Sequence, residues 1–287
     1  MGSLTRPGIF AFITLTVLLC LPCGVAAQSS SATPPHTLFA QSAIEGLERE
    51  FSGSGISYLL LDANSGVLLA SRWEDSAKPI PLGSLVKPFT ALAYANAHGF
   101  HYPVYECKGQ ASGCWQVRPH GKLDIVSAIS VSCNSYFRSL AESVTSEQLL
   151  LVTRTFNLES PEADLTGPSL IGLGDRWKIS PTRISRAYLE LYRRRDQPGV
   201  REVLNGMLRS AQHGTAAAVG RALKHSEAFV KTGTAPCIHT PSAPGDGFVL
   251  ALVPAQAPEI VLLVRVHGVP GAKAAETAGR MLRRMEE

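Results

Sequence analysis

Three short clusters in this chain combine a hydroxyl with a lysine or an amide, the pairing that acyl transfer through a serine requires. Ser84 and Lys87, in Gly83-Ser84-Leu85-Val86-Lys87-Pro88, stand where Pro81-Leu82-Gly83 gives way to a helical run. Residues three apart share a helix face, so the amine can reach the hydroxyl. A free serine hydroxyl is a weak nucleophile, and a lysine serves as its base only when burial lowers the ammonium pKa. Taken alone, the pair also reads as an ordinary exposed helix pair. Ser132 and Asn134, in Ser132-Cys133-Asn134, offer a hydroxyl that can relay a proton and an amide that can hold a substrate amide. Alone, they equally suit a cap or turn. Lys231-Thr232-Gly233-Thr234 lies on a β-rich run, where a lysine and two hydroxyls make a seat for a carboxylate. A glycine inside a strand is tolerated where a ligand or another backbone comes close.

The surrounding pattern supplies elements to position these groups. Ala43 to Phe51 has helical spacing, and the β-rich runs Ile56 to Leu61 and Val67 to Ser71 flank the turn signal Ala63-Asn64-Ser65-Gly66. From about Leu82 to Gln212 the pattern is helical, with amphipathic stretches at Phe89 to Ala97, Ile125 to Ser139, Ser146 to Phe156 and Pro181 to Arg194. Strands follow over Phe229 to Ala235, Phe248 to Leu252 and Ile260 to Val266, and a basic-ended helix over Ala272 to Met285. This order predicts an α/β chain of the α+β type. One antiparallel five-stranded sheet draws on both ends, with terminal helices on one face and an all-helical insert on the other. The three clusters then converge in a cleft between sheet and insert.

The 287 residues are 45% hydrophobic and 17% charged, a globular composition. A net charge of +4 without a basic stripe argues against a nucleic-acid partner. Residues 1–27 carry Arg6, an apolar run from Ile9 to Cys20 and Val25-Ala26-Ala27, the order of a secretory signal cleaved after Ala27. Pro22 stops the apolar stretch just past that run, which is short for a full span, so membrane contact is expected only if the segment is retained. The mature protein is expected across the cytoplasmic membrane, periplasmic or extracytoplasmic. Residues 28–37 read as a Ser/Pro-rich tether and 38–287 as the folded domain. Cys20 and Cys23 fall in the leader, leaving Cys107, Cys114, Cys133 and Cys237. At loop spacing in an exported chain, Cys107 and Cys114 read as a disulfide, while Cys133 and Cys237 are either buried thiols or a second bridge. Zinc would need a second ligand pair at short spacing. None is visible, and His98 and His101 read as surface residues, so no metal is expected.

Ser-x-x-Lys opening a helix, Ser-x-Asn in a helical insert and Lys-Thr-Gly on a strand, in that order, form the signature set of penicillin-binding proteins and serine β-lactamases. With His120-Gly121 through Asp124, Gly172-Leu173-Gly174, Ser180-Pro181, Gly206-Met207, Gly214-Thr215-Ala216, Gly247-Phe248-Val249 and Val253-Pro254-Ala255, the chain resembles the transpeptidase domain of high-molecular-weight penicillin-binding proteins. The likeness runs from roughly Ile56 to Gly268. It implies Ser84 as acylated nucleophile, Lys87 as its base, Ser132 as proton relay to the leaving amine and Asn134 as holder of the substrate side chain. Lys231 would tune the Ser132 hydroxyl, and Thr232, Gly233 and Thr234 would seat the terminal carboxylate of D-Ala-D-Ala or a β-lactam. The N–H groups of Ser84 and Thr234 would form an oxyanion hole. The implied activity is D,D-transpeptidase or D,D-carboxypeptidase on peptidoglycan stem peptides, without a cofactor and with a cell-wall enzyme as partner. One rival is a β-lactamase, for which Glu162 and Asp164 are the nearest acidic candidates, or a carboxylated Lys87 in a class D type. The other is a sensor or partner module that is acylated without turnover. Bulky members carry a further non-catalytic domain, whereas only the tether precedes the catalytic segment here, a length closer to a β-lactamase.

Overall fold

Two of the expected strands, Ile56–Asp62 (β1) and Leu68–Arg72 (β2), form a hairpin behind helix α1 (Leu38–Glu50). The computed structural model describes residues 1–2, 38–161, 165, 167–237 and 244–287. Apart from Met1 and Gly2, the expected leader and tether lie outside the described residues. Among those described, no helix is long and apolar enough to cross a membrane. After the hairpin come β3 (Ile80–Pro81), α2 (Lys87–Ala97), β4 (Tyr105–Cys107), β5 (Gly121–Leu123), α3 (Ile125–Ser130), α4 (Asn134–Ala141), α5 (Ser146–Thr155), β6 (Lys178–Ile179) and α6 (Pro181–Arg193). Then follow α7 (Val200–His213), α8 (Ala217–Ala222), β7 (Phe229–Ala235), β8 (Asp246–Val253), β9 (Ile260–Val266) and α9 (Gly271–Glu286). Strands β2-β1-β9-β8-β7 make one five-stranded antiparallel sheet, as expected.

Side-chain alternation splits the core into two layers. Leu59, Leu61, Phe248, Leu250, Leu252, Val261 and Leu263 pack against the helical insert. Tyr58, Leu60, Val249, Ala251, Leu262 and Val264 pack against Leu47 and Phe51 near the end of α1 and Ala274, Ala278 and Met281 of α9. Strands covered on both faces read as continuous apolar runs, which is why β8 and β9 carry little polar alternation. On β7 the same period of two turns Val230 toward the terminal helices and Lys231, one residue on, toward the insert.

The insert departs from expectation at one place that matters. The single helix read over Ile125 to Ser139 is two helices, broken at Val131 to Cys133. Ser132 has φ +51°, an uncommon conformation for a residue with a side chain. Each fragment is capped: Asp124 accepts from Ser127 N at 2.7 Å, and Cys133 Sγ accepts from Tyr136 N at 3.5 Å. The two-stranded ribbons β3–β6 and β4–β5 also went unread, because strands of two or three residues carry no periodicity.

Helix α3 is held against α7 at Gly206, where an added Cβ would sit 2.5 Å from Ile129 Cβ and 2.9 Å from Val126 O. Replacing this glycine by alanine gains up to about 1 kcal/mol of helix propensity, but overpacking a site beside fully buried Ile129 costs about 1–3 kcal/mol. Gly206→Ala is therefore expected to lower the urea midpoint at unchanged m-value. An unchanged or raised midpoint would show that α3 and α7 do not pack this closely.

Candidate active site

The turn Gly83–Val86 is wedged between the sheet edge and the turn Gly167–Ile171. Three glycines permit this. A Cβ on Gly83, which has φ +58°, would collide with the backbone of Thr234; one on Gly233 would meet the Leu82 carbonyl; one on Gly172 would meet the Gly83 carbonyl. The Lys-Thr-Gly glycine is thus there for backbone approach. Tyr188 Oη donates to Leu85 O at 2.7 Å, and Thr90 Oγ1 donates to Leu170 O, pinning both turns. Helix α2 starts at Lys87, and Pro88 occupies its first turn, where no backbone N–H is needed.

Lys87 is fully buried, with Nζ 2.6 Å from Asn134 Oδ1, 2.7 Å from Ser132 O and 3.3 Å from Ser132 Oγ. Lys231, also fully buried, donates to Ser132 Oγ at 2.8 Å and to Thr232 O at 2.7 Å. One serine hydroxyl therefore lies between two amines from opposite sides of the cleft. Burial lowers the Lys87 pKa to about 7, with Arg138 adding to the shift and Cys133 and Cys114 opposing it. Lys231 is pushed well below the usual lysine range, by burial first and by Lys87 second.

Ser84, Ser132, Asn134, Thr232, Gly233 and Thr234 line one cleft of about 330 Å³, with Trp115, Leu173, Thr215, Pro270 and Ala272 completing its wall. Ser84 is half-buried and Thr234 exposed, so the cleft opens beside both. Among the described residues, the hydrogen bonds of Lys87 go to Ser132 and Asn134, with none to the Ser84 hydroxyl. A larger groove of about 700 Å³ around Ser57, Arg72, Trp73 and Arg265 contains none of these residues. Thr215 Oγ1 lies 2.6 Å from Thr232 Oγ1, and Thr234 Oγ1 accepts from Gly271 N at 2.9 Å. Thr215 carried a sequence signal only as part of Gly214-Thr215-Ala216. Leu173 likewise carried one only as part of Gly172-Leu173-Gly174, and Trp115 carried none, because its place on the wall follows from loop path.

One expectation is corrected. Cys107, Cys114 and Cys133 are free thiols, and all three are buried, as is Cys237. The Cys107–Cys114 bridge does not form because both sulfurs turn toward His120, at 3.5 and 3.6 Å, and Cys114 Sγ also lies 3.7 Å from Cys133 Sγ. Cys107, Cys114, His120 and Cys133 form one cluster of side chains able to ligate a metal. Glu162 and Asp164 lie outside the described residues.

Residues 56–285 match the penicillin-binding protein transpeptidase domain. The chain belongs to this family. That membership makes it a serine acyltransferase-type enzyme with a peptidoglycan transpeptidase-type function. Among solved structures, the penicillin-binding transpeptidase fold recurs in PBP2 of Pseudomonas aeruginosa, crystallised with WCK 5153, at TM-score 0.68 and 17% identity over 85% of this chain and 73% of that one. The D,D-transpeptidase domain of a peptidoglycan glycosyltransferase from Eggerthella lenta gives 0.67 and 16% over 84% and 80%. PBP2 of Helicobacter pylori, in complex with MreC, gives 0.68 and 17% over 86% and 62%. No curated protein matches by sequence.

A lysine whose folded pKa is depressed binds fewer protons folded than unfolded between about 7 and its ordinary 10.5, so stability rises with pH through that window. Each unit is worth about 1.4 kcal/mol. The unfolding free energy of the wild type, measured relative to Lys87→Met, is expected to increase between pH 7 and 10 by several kcal/mol. A flat difference would mean that Lys87 keeps an ordinary pKa.

Proposed function

We propose that the chain is an exported serine D,D-transpeptidase or D,D-carboxypeptidase that processes peptidoglycan stem peptides through an acyl ester on Ser84, and that penicillin acylates the same residue. The observation that carries this reading is the Ser132 hydroxyl held between Lys87 and Lys231 in the cleft that Ser84 lines. A neutral Lys87 amine has two N–H donors, matched by Asn134 Oδ1 and Ser132 O, which leaves its lone pair free to accept a proton. Lys231 donates to Ser132 Oγ, so the Ser132 proton is itself free to be passed on.

In the proposed reaction, Ser84 Oγ attacks the carbonyl carbon of the penultimate D-Ala and its proton passes to Lys87. The C–N bond to the terminal D-Ala breaks, and the leaving amine takes a proton from Ser132, which Lys87 replenishes. The resulting ester goes to water in a carboxypeptidase or to a second stem peptide's amine in a transpeptidase. The N–H groups of Ser84 and Thr234 are the proposed donors to the oxyanion, on backbones that Gly83 brings into contact. Thr232, Gly233 and Thr234 seat the substrate carboxylate, and Asn134 orients the chain beside it. The class D β-lactamase alternative is less well supported. A carboxylated lysine keeps a single N–H, whereas Nζ of Lys87 faces two carbonyl oxygens within 2.7 Å. The leader over residues 1–27 supports export, and the MreC complex of the Helicobacter pylori protein supports a cell-wall partner here.

Incubation with a labelled penicillin should add its mass to the peptide containing Ser84, and Ser84→Ala should abolish the adduct. An adduct surviving in that variant would refute the nucleophile. Persistence of the adduct for many minutes, with release of D-Ala from a stem-peptide analogue, is expected; release within seconds would favour a β-lactamase, and acylation without D-Ala release a sensor. Because the base must be neutral, the acylation rate should rise about tenfold per pH unit below about 7 and level off above it. A rate independent of pH between 5 and 8 would remove Lys87 from that role.

A further inference from the structure

Outside the catalytic groups, the one dense set of ligating atoms among the described residues other than Cys237, Asp246 and His267 is Cys107, Cys114, His120 and Cys133. Their Sγ and Nδ1 atoms lie within 4.8 Å of one another. Tetrahedral zinc with bonds near 2.3 Å to sulfur and 2.0–2.1 Å to nitrogen holds two sulfurs about 3.8 Å apart and sulfur and nitrogen about 3.5 Å apart. The chain shows 3.7 Å between Cys114 and Cys133, and 3.5 and 3.6 Å from His120 Nδ1 to Cys107 and Cys114. A disulfide needs sulfurs about 2.05 Å apart. The spacing is that of ligands around a shared centre.

We infer that Cys107, Cys114, His120 and Cys133 form a structural site for a divalent soft metal, zinc by its ligand set, which ties the β4–β5 ribbon to the loop carrying Ser132 and Asn134. The ligands come from separate places: Cys107 ends β4, Cys114 follows the turn Gly109–Ser112, His120 precedes β5 and Cys133 caps α4. Three sulfurs and one imidazole select zinc over oxygen-preferring cations, and four protein ligands leave no open position, so the site holds structure and does no chemistry. Each thiol gives up its proton to the solvent as the metal binds. Cys133 lies between Ser132, with its left-handed backbone, and Asn134, and Trp115 beside Cys114 forms part of the cleft wall. The metal would hold the bend that presents Ser132 to both lysines. Cys237 lies outside the set.

The test uses the full chain purified without chelator. Elemental analysis should find about one zinc per chain in the wild type and in Cys237→Ser, and far less in the Cys107→Ser/Cys114→Ser double variant. Replacing zinc by cobalt(II) should produce the intense visible bands of a tetrahedral thiolate complex in the wild type, a readout that stands even if the double variant fails to fold. Chelation should make Cys107, Cys114 and Cys133 reactive to a thiol reagent and speed amide exchange across Val131 to Tyr136. Folded wild type that retains no zinc and gives no thiolate–cobalt bands, a Cys107–Cys114 disulfide found by non-reducing mapping, or a folded double variant that keeps its zinc would each overturn the site. Exchange unchanged by chelation would overturn the link to the Ser132 loop.

Discussion

Keeping Lys87 and Lys231 out of water, with their amines on the same serine hydroxyl, is the constraint around which this molecule is arranged. Removing an ammonium from water is expensive, and two neighbouring ones repel, so the fold must supply acceptors and let the charge go. It supplies the Ser132 carbonyl, the Asn134 amide oxygen and the Thr232 carbonyl. The result is an amine that is a usable base near neutral pH, which an exposed lysine is not. Desolvation that would be a defect in an ordinary core is here the source of reactivity.

That arrangement needs three chain segments to come closer than side chains normally allow. Gly83, Gly172 and Gly233 remove the Cβ atoms at each crossing, so the Ser84 turn lies directly on β7 and on the turn before Gly172. The sheet supplies direction as well as contact: with Val230 committed to the layer under the terminal helices, Lys231 faces the insert. Register along β7 thus decides that a lysine, and not its neighbours, meets Ser132.

The loop that presents Ser132 is the least regular part of the site. A helix continued from Ile125 through Ser139 would leave Ser132 without its bent backbone, and the break is marked by the cap that Cys133 gives α4 rather than by glycine or proline. A side chain at positive φ is held by its surroundings. The buried cysteines and His120 beside the break supply that restraint from the β4–β5 side, and Lys87 supplies it from the other.

Much of the site was legible in the residues. Ser84, Lys87, Ser132, Asn134, Lys231 and the Thr232 to Thr234 seat could be picked out because each cluster is local, and the sheet because period-two and period-3.6 patterns are local too. What the sequence left open depends on contacts between distant segments. The break at Ser132 has no breaker residue to announce it, Thr215 and Trp115 join the cleft through loop paths, and Cys107 and Cys114 look like a bridge until His120 and Cys133 arrive from other elements. By itself the sequence determined the chemistry on offer and the order of the elements, since those rest on residue type and neighbours along the chain. Only the tertiary structure decided which amine meets which hydroxyl, how far burial lowers each lysine, and which thiols face one another, because distance and desolvation are set by packing.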